Sequence, residues 1–186
     1  MELARSDRGW MSGAVPEDVV TIGDPRLKRP TTAVTDVRVI GDLMERMTSR
    51  MRALSGAGLA APQIGESVKA VVVEVRKTDV FPDRPTSPLL QMINPVIIDR
   101  SDETERGWEG CFSVPGFMGL VDRASSITVQ YLTPAGDPTE EGYRGYVARV
   151  IQHEIDHLDA IEFVDRMTSM DSFTTVHNYL RHHGST

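Results

Sequence analysis

The stretch IQHEIDHLDA, residues 151–160, contains two histidines four positions apart, and a glutamate directly follows the first of them. On a helix, residues i and i+4 lie on one face about one turn apart, so His153 and His157 can direct both imidazoles at one metal ion. Glu154 projects about 100° further round the helix. There its carboxylate can act on a water beside the metal without becoming a ligand. The spacing therefore predicts a helix that carries a hydrolytic metal site.

A solvated helix face is the alternative interpretation of this stretch, and Asp156 and Asp159 would suit it. The two histidines, however, share their face with Tyr146 and Val150, which make that face apolar. Burying two unpaired histidines there would be costly, whereas a shared metal ion would give both of them a partner. We therefore favour the metal site.

The rest of the chain predicts the framework around this helix, which we expect over 145–158. Apolar residues at helical spacing, many of them methionines, predict an earlier helix near 38–54 whose stripe faces the core. Apolar runs at 69–75, 91–99 and 126–132 predict strands. Strands dominate the middle of the chain and helices its ends. The sequence thus predicts an α+β fold of mostly antiparallel strands packed around a central helix that carries the HExxH motif.

The length of the chain, 186 residues, predicts one domain that buries its own core without disulfides. Residues 1–13 lack periodicity, and we expect a loose N-terminal extension there. We expect a single catalytic domain over 14–186. Within it, residues 168–186 are expected to form a C-terminal tail or a short helix.

Composition excludes several classes of function. The net charge of −7 and the pI of about 5.2 disfavour binding to nucleic acid or to an anionic membrane surface. No apolar run approaches the roughly 18 residues that cross a bilayer. The N-terminal residues contain acids and no apolar core segment, which argues against a signal or transit peptide. A single cysteine suits a reducing compartment, so we expect a cytoplasmic protein.

The third metal ligand does not follow from the known HExxH patterns. A metzincin needs glycine and histidine three and six residues after the second histidine, where this chain has Ala160 and Phe163. A thermolysin-like site needs a glutamate about twenty residues downstream, where this chain has His177. Cys111 in WEGCFSVPG, residues 108–116, remains as a candidate, since thiolate binds borderline divalent metals strongly. A lone cysteine is otherwise usually a small buried hydrophobe.

Three segments of the chain together resemble the motifs of the peptide deformylases. They are GAGLAAPQIG (56–65), EGCFSVPG (109–116) and QHEIDHLDA (152–160), in the order of that family and near its spacing. The resemblance extends from about Val20 to Met167. It implies a Cys-His-His metal site, ferrous in the family, and an enzyme that removes the formyl group from N-terminal formylmethionine of newly made polypeptides and releases formate.

The resemblance also implies the role of individual residues. The metal ligands fall on Cys111, His153 and His157, and the catalytic glutamate falls on Glu154. The glutamine that binds the oxyanion falls on Gln63, and the backbone N–H of Phe112 takes the same role although the family has leucine there. The resemblance implies one divalent metal ion. Fe²⁺ is the expected ion, and Zn²⁺, Ni²⁺ or Co²⁺ can substitute for it.

The expected substrate site lies between the small residues and the helix. Small residues suit the close approach of another backbone, so we expect an extended peptide to pair there and to insert its methionine beside the first ligand histidine. The predicted substrate-binding residues are Gly56, Ala57, Gly58, Gly110, Tyr146 and Val150.

Besides Phe112, two further positions depart from the family pattern. Ala160 replaces the family's glycine after the helix. The segments GYVARVIQHE and GFMGLVDR most resemble the organelle-type subgroup, whose usual tryptophan is Tyr146 in this chain.

The expected partners are formylmethionyl peptides, namely nascent chains at the ribosome. We expect no nucleic acid, no membrane, and a bacterial-type cytoplasmic enzyme that is a monomer or a weak dimer. Two rival hypotheses stay open on sequence alone. One is an endopeptidase whose third ligand is His177 or an acid, and the other is a scaffold without activity that binds a partner. Glu109 and Arg123 either form a pair that fixes Cys111 or are two independent surface charges.

Overall fold

The computed structural model describes residues 13–14, 17–77 and 84–183. Residues 1–12 of the expected N-terminal extension therefore lie outside the described residues, as do the last three residues of the expected tail. Within the described ranges, no helix is both long and apolar enough to cross a membrane.

The two main helices form where helical spacing predicts them. Helix α1 spans Gly41–Ala53 and buries the methionine stripe, with Met44, Met47 and Met51 almost fully enclosed. It begins later than expected because Val37–Val39 first form a 3₁₀ turn. Helix α2 spans Gly145–Leu158, as expected, and contains the HExxH motif.

The strands form two antiparallel sheets. The strands are β1 (Gly58–Ala60), β2 (Ala70–Val73), β3 (Leu90–Arg100), β4 (Thr104–Cys111), β5 (Val114–Ala124), β6 (Ser126–Leu132), β7 (Pro138–Arg144) and β8 (Thr174–Thr175). The first sheet has the order β1-β2-β3-β6-β7, and the second has the order β4-β5-β8. This mixed architecture with antiparallel sheets confirms the coarse fold prediction.

Helix α2 contacts strands of both sheets, namely β1, β2, β6 and β7 of the first and β5 of the second. Every residue from Ala148 to Leu158 is buried. The apolar residues Ile151 and Ile155 of α2 pack against residues of the first sheet, which include Val71 and Met92. Burial of each such side chain contributes about 1.5–3 kcal/mol. The polar residues of α2 are buried as well, so each of them needs a partner inside the protein.

The C-terminal segment is docked on the second sheet. After the four-residue helix α3 (Phe163–Arg166), the chain adds β8 to the edge of β5 and continues into helix α4 (Val176–His182). Val176 is fully buried against Met118 of β5. The predicted short helix is therefore present, and a strand precedes it.

Helix α2 ends in a strained position. Ala160 follows the C-cap residue Asp159 and has a φ of +61°, which is left-handed backbone. Its carbonyl accepts a hydrogen bond from Nζ of Lys28 at 3.1 Å, which holds the position in place. An L-residue in this conformation costs about 1–2 kcal/mol, and glycine avoids that cost.

We expect Ala160→Gly to raise the free energy of unfolding by ~0.5–1 kcal/mol, because relief of the left-handed strain exceeds the extra entropy of the unfolded chain. Urea unfolding followed by circular dichroism measures it. The matched control is Ala53→Gly, an exposed helical position that should lose up to about 1 kcal/mol. Equal destabilisation by both variants would contradict the strain argument.

Candidate active site

Three ligand atoms converge between α2 and the end of β4. The ligand atoms of Cys111, His153 and His157 all lie within 4.8 Å of one another, and the three residues are buried. A thiolate with two imidazoles is a donor set that Fe²⁺, Co²⁺, Ni²⁺ and Zn²⁺ accept. The residues present therefore fit one divalent metal ion with three protein ligands.

The hairpin between β4 and β5 sets the position of Cys111. The two strands pair in register up to Gly110 opposite Met118, and the register then shifts so that Cys111 lies opposite Val114. Such an irregularity re-aims side chains at the end of a hairpin. The sulfur accepts hydrogen bonds from Nε2 of Gln63 at 3.2 Å and from the backbone N–H of Ser113 at 3.4 Å.

The two histidines have different surroundings. Nδ1 of His153 lies 2.8 Å from Oε2 of Glu109, which leaves Nε2 for the metal. Nε2 of His157 lies 3.3 Å from the sulfur of Cys111. Burial lowers the pKa of His157 well below its usual value, which favours the neutral form that binds metals. Burial also acts to lower the pKa of His153, but its hydrogen bonds with Cys111 and Glu109 raise it overall.

Glu109 is the centre of a buried ion-pair network. Arg123 donates to both of its carboxylate oxygens at 2.9 Å, and Arg149 donates to one of them at 2.9 Å. The side chains of Glu109 and Arg123 are only 4% and 5% exposed. The interpretation as independent surface charges is therefore wrong. Burial raises the pKa of Glu109, but hydrogen bonds with His153 and Arg123 outweigh it and hold the pKa well below its usual range.

The network continues towards the surface through residues that sequence reasoning missed. Asp156 of α2 accepts hydrogen bonds from Arg123 and from Arg166 of α3. Arg149 also donates to backbone carbonyls of β4 and β5. A Cβ at Gly107 would lie 2.8 Å from Cζ of Arg149, so the guanidinium fills the space that any larger residue there would take.

Glu154 lies beside the ligand cluster, and its carboxylate can accept a proton. It is 4% exposed, and its Oε2 has no hydrogen-bond partner among the residues that the structure describes. Burial raises its pKa to about 7. A buried carboxylate oxygen without a donor is costly, and such an atom at a site calls for a partner from solvent or substrate.

Two glycines of the first motif lie against side chains of the site. A Cβ at Gly58 would collide with the carboxylate of Glu154, and a Cβ at Gly56 would collide with the ring of Phe112. These side chains leave no space for a larger residue at either position. Gln63, in the 3₁₀ turn Ala61–Ile64, is oriented by a 2.7 Å hydrogen bond from the backbone N–H of Ala60 to its Oε1.

All but one of the predicted site residues line a single cleft. The exception is His157, which lies behind it as the third member of the ligand cluster. The alternative ligand His177 is exposed on α4 and is not a member of that cluster, which removes the support for the endopeptidase hypothesis. The cleft residues that sequence reasoning missed are Leu54, Ser55, Arg84, Trp108, Met118, Arg149 and Tyr179.

Comparison with known sequences decides the family. A sequence model of the polypeptide deformylases matches residues 16–173. The chain belongs to the peptide deformylase family. It is 41% identical over 157 residues to peptide deformylase 1 of Bordetella pertussis, which covers 83% of this chain and 89% of the relative. It is 43% identical over 150 residues to the peptide deformylase of Natranaerobius thermophilus, covering 78% and 88%.

Solved deformylase structures have the same fold. A Met-Ala-Ser-bound class I type b peptide deformylase from Acinetobacter baumannii matches with a TM-score of 0.76 and 35% identity, covering 83% of this chain and 98% of that one. An actinonin complex of the Synechococcus elongatus enzyme matches with a TM-score of 0.76 and 31% identity, covering 90% and 88%. This deformylase is thus a hydrolase of protein biosynthesis that removes the formyl group from N-formylmethionyl polypeptides.

We expect Glu109→Gln to lower the free energy of unfolding of this deformylase by ~3 kcal/mol, because two buried guanidinium groups would lose their shared carboxylate. Metal content after purification should fall too, since Nδ1 of His153 loses an ionised acceptor. Urea unfolding and metal analysis measure both. The control is Glu105→Gln, an exposed side chain on the same strand that should change stability by under ~0.5 kcal/mol. Similar losses in both variants would refute the role of the network.

Proposed function

We propose that Cys111, His153 and His157 hold one divalent metal ion and that Glu154 is the proton-transferring residue of the deformylation. The observation that carries the proposal is the cluster of three buried ligand atoms beside a buried carboxylate oxygen without a partner among the described residues. In this assignment α2 is the central helix of the catalytic domain, which we place over residues 14–186. When bound, the metal supplies a Lewis acid that polarises the formyl carbonyl and lowers the pKa of an adjacent water.

Glu154 accepts the proton that the attacking water loses and passes it to the departing amine. Two observations support this role. Its pKa is raised by burial to about 7, close to the value at which one group can both take up and release a proton near neutral pH. Its Oε2 accepts no hydrogen bond within the described part of the chain, so it is available to a water in the cleft.

Gln63 and Phe112 stabilise the oxyanion that forms when the water attacks. Nε2 of Gln63 donates to the sulfur of Cys111 and to Oγ of Ser113, so its amide group lies beside the ligand cluster. The backbone N–H of Phe112 follows Cys111 directly along the chain. A single oriented donor of this kind contributes about 3 kcal/mol to the lowering of the barrier.

The formylated peptide lies along the free edge of β1. This strand is the last of its sheet, so its outer side can pair with an extended chain. Gly56 and Ala57 precede it, and Gly110 at the end of β4 lines the same cleft. The methionine side chain enters beside Tyr146 and Val150 of α2, which also line the cleft.

The substrates in the cell are nascent chains that begin with formylmethionine, met at the ribosome. The low pI supports binding to the emerging peptide rather than to RNA. We place the enzyme in the cytoplasm as a monomer or a weak dimer.

The test of the function compares formyl-Met-Ala-Ser with acetyl-Met-Ala-Ser under anaerobic conditions. Release of formate from the first peptide and no release of acetate from the second supports the proposal, because the two substrates differ only in the acyl group. Cleavage of an internal peptide bond in either substrate would refute it.

We expect Glu154→Gln to keep its metal and to lose at least ~100-fold in kcat, since an amide cannot accept the proton of the attacking water. Formate release and metal stoichiometry measure the two effects. The matched variant is Cys111→Ser, which should lose the metal, since a neutral hydroxyl is a weak ligand. Loss of the metal in Glu154→Gln, or its retention in Cys111→Ser, would contradict the assigned roles.

We propose Fe²⁺ as the physiological metal, which Cys111, His153 and His157 would hold. Fe²⁺ accepts a coordination number above four more readily than Zn²⁺ and would therefore be the better Lewis acid at a site with three protein ligands. Anaerobic reconstitution should give the highest kcat with Fe²⁺, durable activity with Ni²⁺ or Co²⁺, and slower turnover with Zn²⁺. In air, the Fe²⁺ form should decay because metal and thiolate both oxidise. A Zn²⁺ form that equals the anaerobic Fe²⁺ form in kcat would refute this.

A further inference from the structure

The last turn of α2 contains a proposed metal ligand and is bound from outside the helix. His157 is the second-last residue of α2, which ends at Leu158. The last carbonyls of a helix have no partner within it, so its final turn frays unless other groups bind them. His153, one turn earlier, is held in the ion-pair network of Glu109. The position of His157 therefore depends on the contacts that fix the end of α2.

Two side chains from the N-terminal part of the chain bind this end of α2. Oγ of Thr31 donates a hydrogen bond of 2.7 Å to the carbonyl of Leu158. Nζ of Lys28 donates one of 3.1 Å to the carbonyl of Ala160, two residues beyond the helix. Both donors are far from α2 in the sequence, so they bind its end only in the folded protein.

Two carboxylates orient the ammonium group of Lys28. Its Nζ donates to Oε2 of Glu162 and lies 2.7 Å from Oδ2 of Asp165. Oδ2 of Asp165 also accepts a 2.9 Å hydrogen bond from the backbone N–H of Glu162, which fixes the start of α3. Together with the carbonyl of Ala160, these acceptors match the three donors of an ammonium group. We call Lys28, Glu162 and Asp165 the Lys28 clasp.

Glu162 is the buried member of the Lys28 clasp. Its side chain is 1% exposed, whereas the side chain of Lys28 is 52% exposed and reaches inwards from the surface. Oε1 of Glu162 has no hydrogen-bond partner among the residues that the structure describes. A carboxylate buried in this way is costly, and an apolar side chain would fill the space without that cost. The buried charge therefore attracts the ammonium group of Lys28 to the end of α2, where it also binds Ala160.

The backbone of Ala160 connects the Lys28 clasp to the proposed ligand. Its N–H donates to the carbonyl of His157 at 3.3 Å, and its own carbonyl accepts from Lys28. The N–H of Ile161 donates to the carbonyl of Asp156 at 3.0 Å, so this turn is bonded to the last turn of α2 at two places. Ala160 has strained left-handed backbone, which persists only where surrounding contacts hold it. A contact that fixes Ala160 thereby fixes the backbone of His157.

We propose, on the basis of the metal site of the proposed function, that Lys28 is a positioning residue for His157 and slows the release of the metal ion. The Lys28 clasp closes the turn that follows α2, and the closed turn keeps the carbonyl of His157 bonded. Without the Lys28 clasp, the last turn of α2 opens more often. A ligand on a turn that opens more often releases its metal faster.

The test measures how fast the Co²⁺-loaded protein loses its metal to excess EDTA, followed by the absorption of the bound ion under anaerobic conditions. Lys28→Met should release Co²⁺ about tenfold faster than the unaltered protein, in line with the effect of other residues that orient metal ligands. Lys28→Arg should stay within about twofold, because a guanidinium can donate to the same carboxylates. Release from Lys28→Met at the unaltered rate overturns the proposal.

Two further variants separate the positioning of His157 from overall stability. In Lys28→Met/Glu162→Leu both charges are absent, so the midpoint of thermal unfolding of the metal-free protein should recover. The carbonyl of Ala160 still lacks its donor, and Co²⁺ release should stay fast. Met44→Ala is the stability control, since Met44 is buried in a cluster of α1 to which α2 contributes no residue. It should lower the midpoint and keep release slow. Slow release from the double variant, or fast release from Met44→Ala, overturns the proposal.

Hydrogen exchange of the metal-free protein tests the Lys28 clasp without the metal. The amides of Ala160 and Ile161 donate to carbonyls of α2 and should exchange about tenfold faster in Lys28→Met than in the unaltered protein. Unchanged exchange of both amides overturns the Lys28 clasp while the metal site stands. Equal binding of Co²⁺ by Cys111→Ser and the unaltered protein overturns the metal site of the proposed function and, with it, the role of Lys28 in metal release.

Discussion

Glu109 places a carboxylate where β4, β5 and α2 meet, and its oxygens contact Arg123, Arg149 and Nδ1 of His153. A carboxylate this deeply buried is stable only if its charge and lone pairs are all matched. Arg123 comes from β5, and Arg149 and His153 come from α2, so the match is met in one arrangement of strand, hairpin and helix. The same arrangement holds Nδ1 of His153 at Glu109 and thereby leaves its Nε2 for the proposed metal site with Cys111 and His157. The ion-pair network therefore links the packing of the two strands to the orientation of a ligand.

The buried helix explains why so much of the site follows from the sequence. Helix α2 begins and ends where its pattern predicts, because Gly145 introduces it and its apolar residues repeat at helical spacing. The ligand spacing in HExxH is local, so geometry within one helix predicts it. The proposed third ligand comes from a distant hairpin, and the periodicity of the helix contains no information about it. The ordered set of three motifs indicated Cys111, which lies in the cluster with His153 and His157.

Other features depend on contacts between distant residues, which a single sequence does not reveal. Strands β4 and β5 escaped prediction because the first half of β4 is exposed and polar, without the apolar alternation that marks a strand. Sequence reasoning did not reveal that the carboxylate of Glu154 packs against Gly58 and leaves no space for a side chain there. Likewise, only the structure explains the glycine at position 107, because the guanidinium of Arg149 occupies the space that a side chain there would take.

The cleft lies where two sheets end. Strand β1 is an edge strand of the first sheet and β4 is an edge strand of the second, and both contribute residues to the cleft. Such edges offer unpaired backbone groups, which are a liability unless something covers them or a ligand uses them. Helix α2 contacts the first sheet through β1 and the second through β5, so it sets the spacing between the edges. One helix thus carries three residues of the proposed site, His153, Glu154 and His157, and also sets the distance between the two sheets that border the cleft. A change in its packing is expected to alter chemistry and substrate fit together.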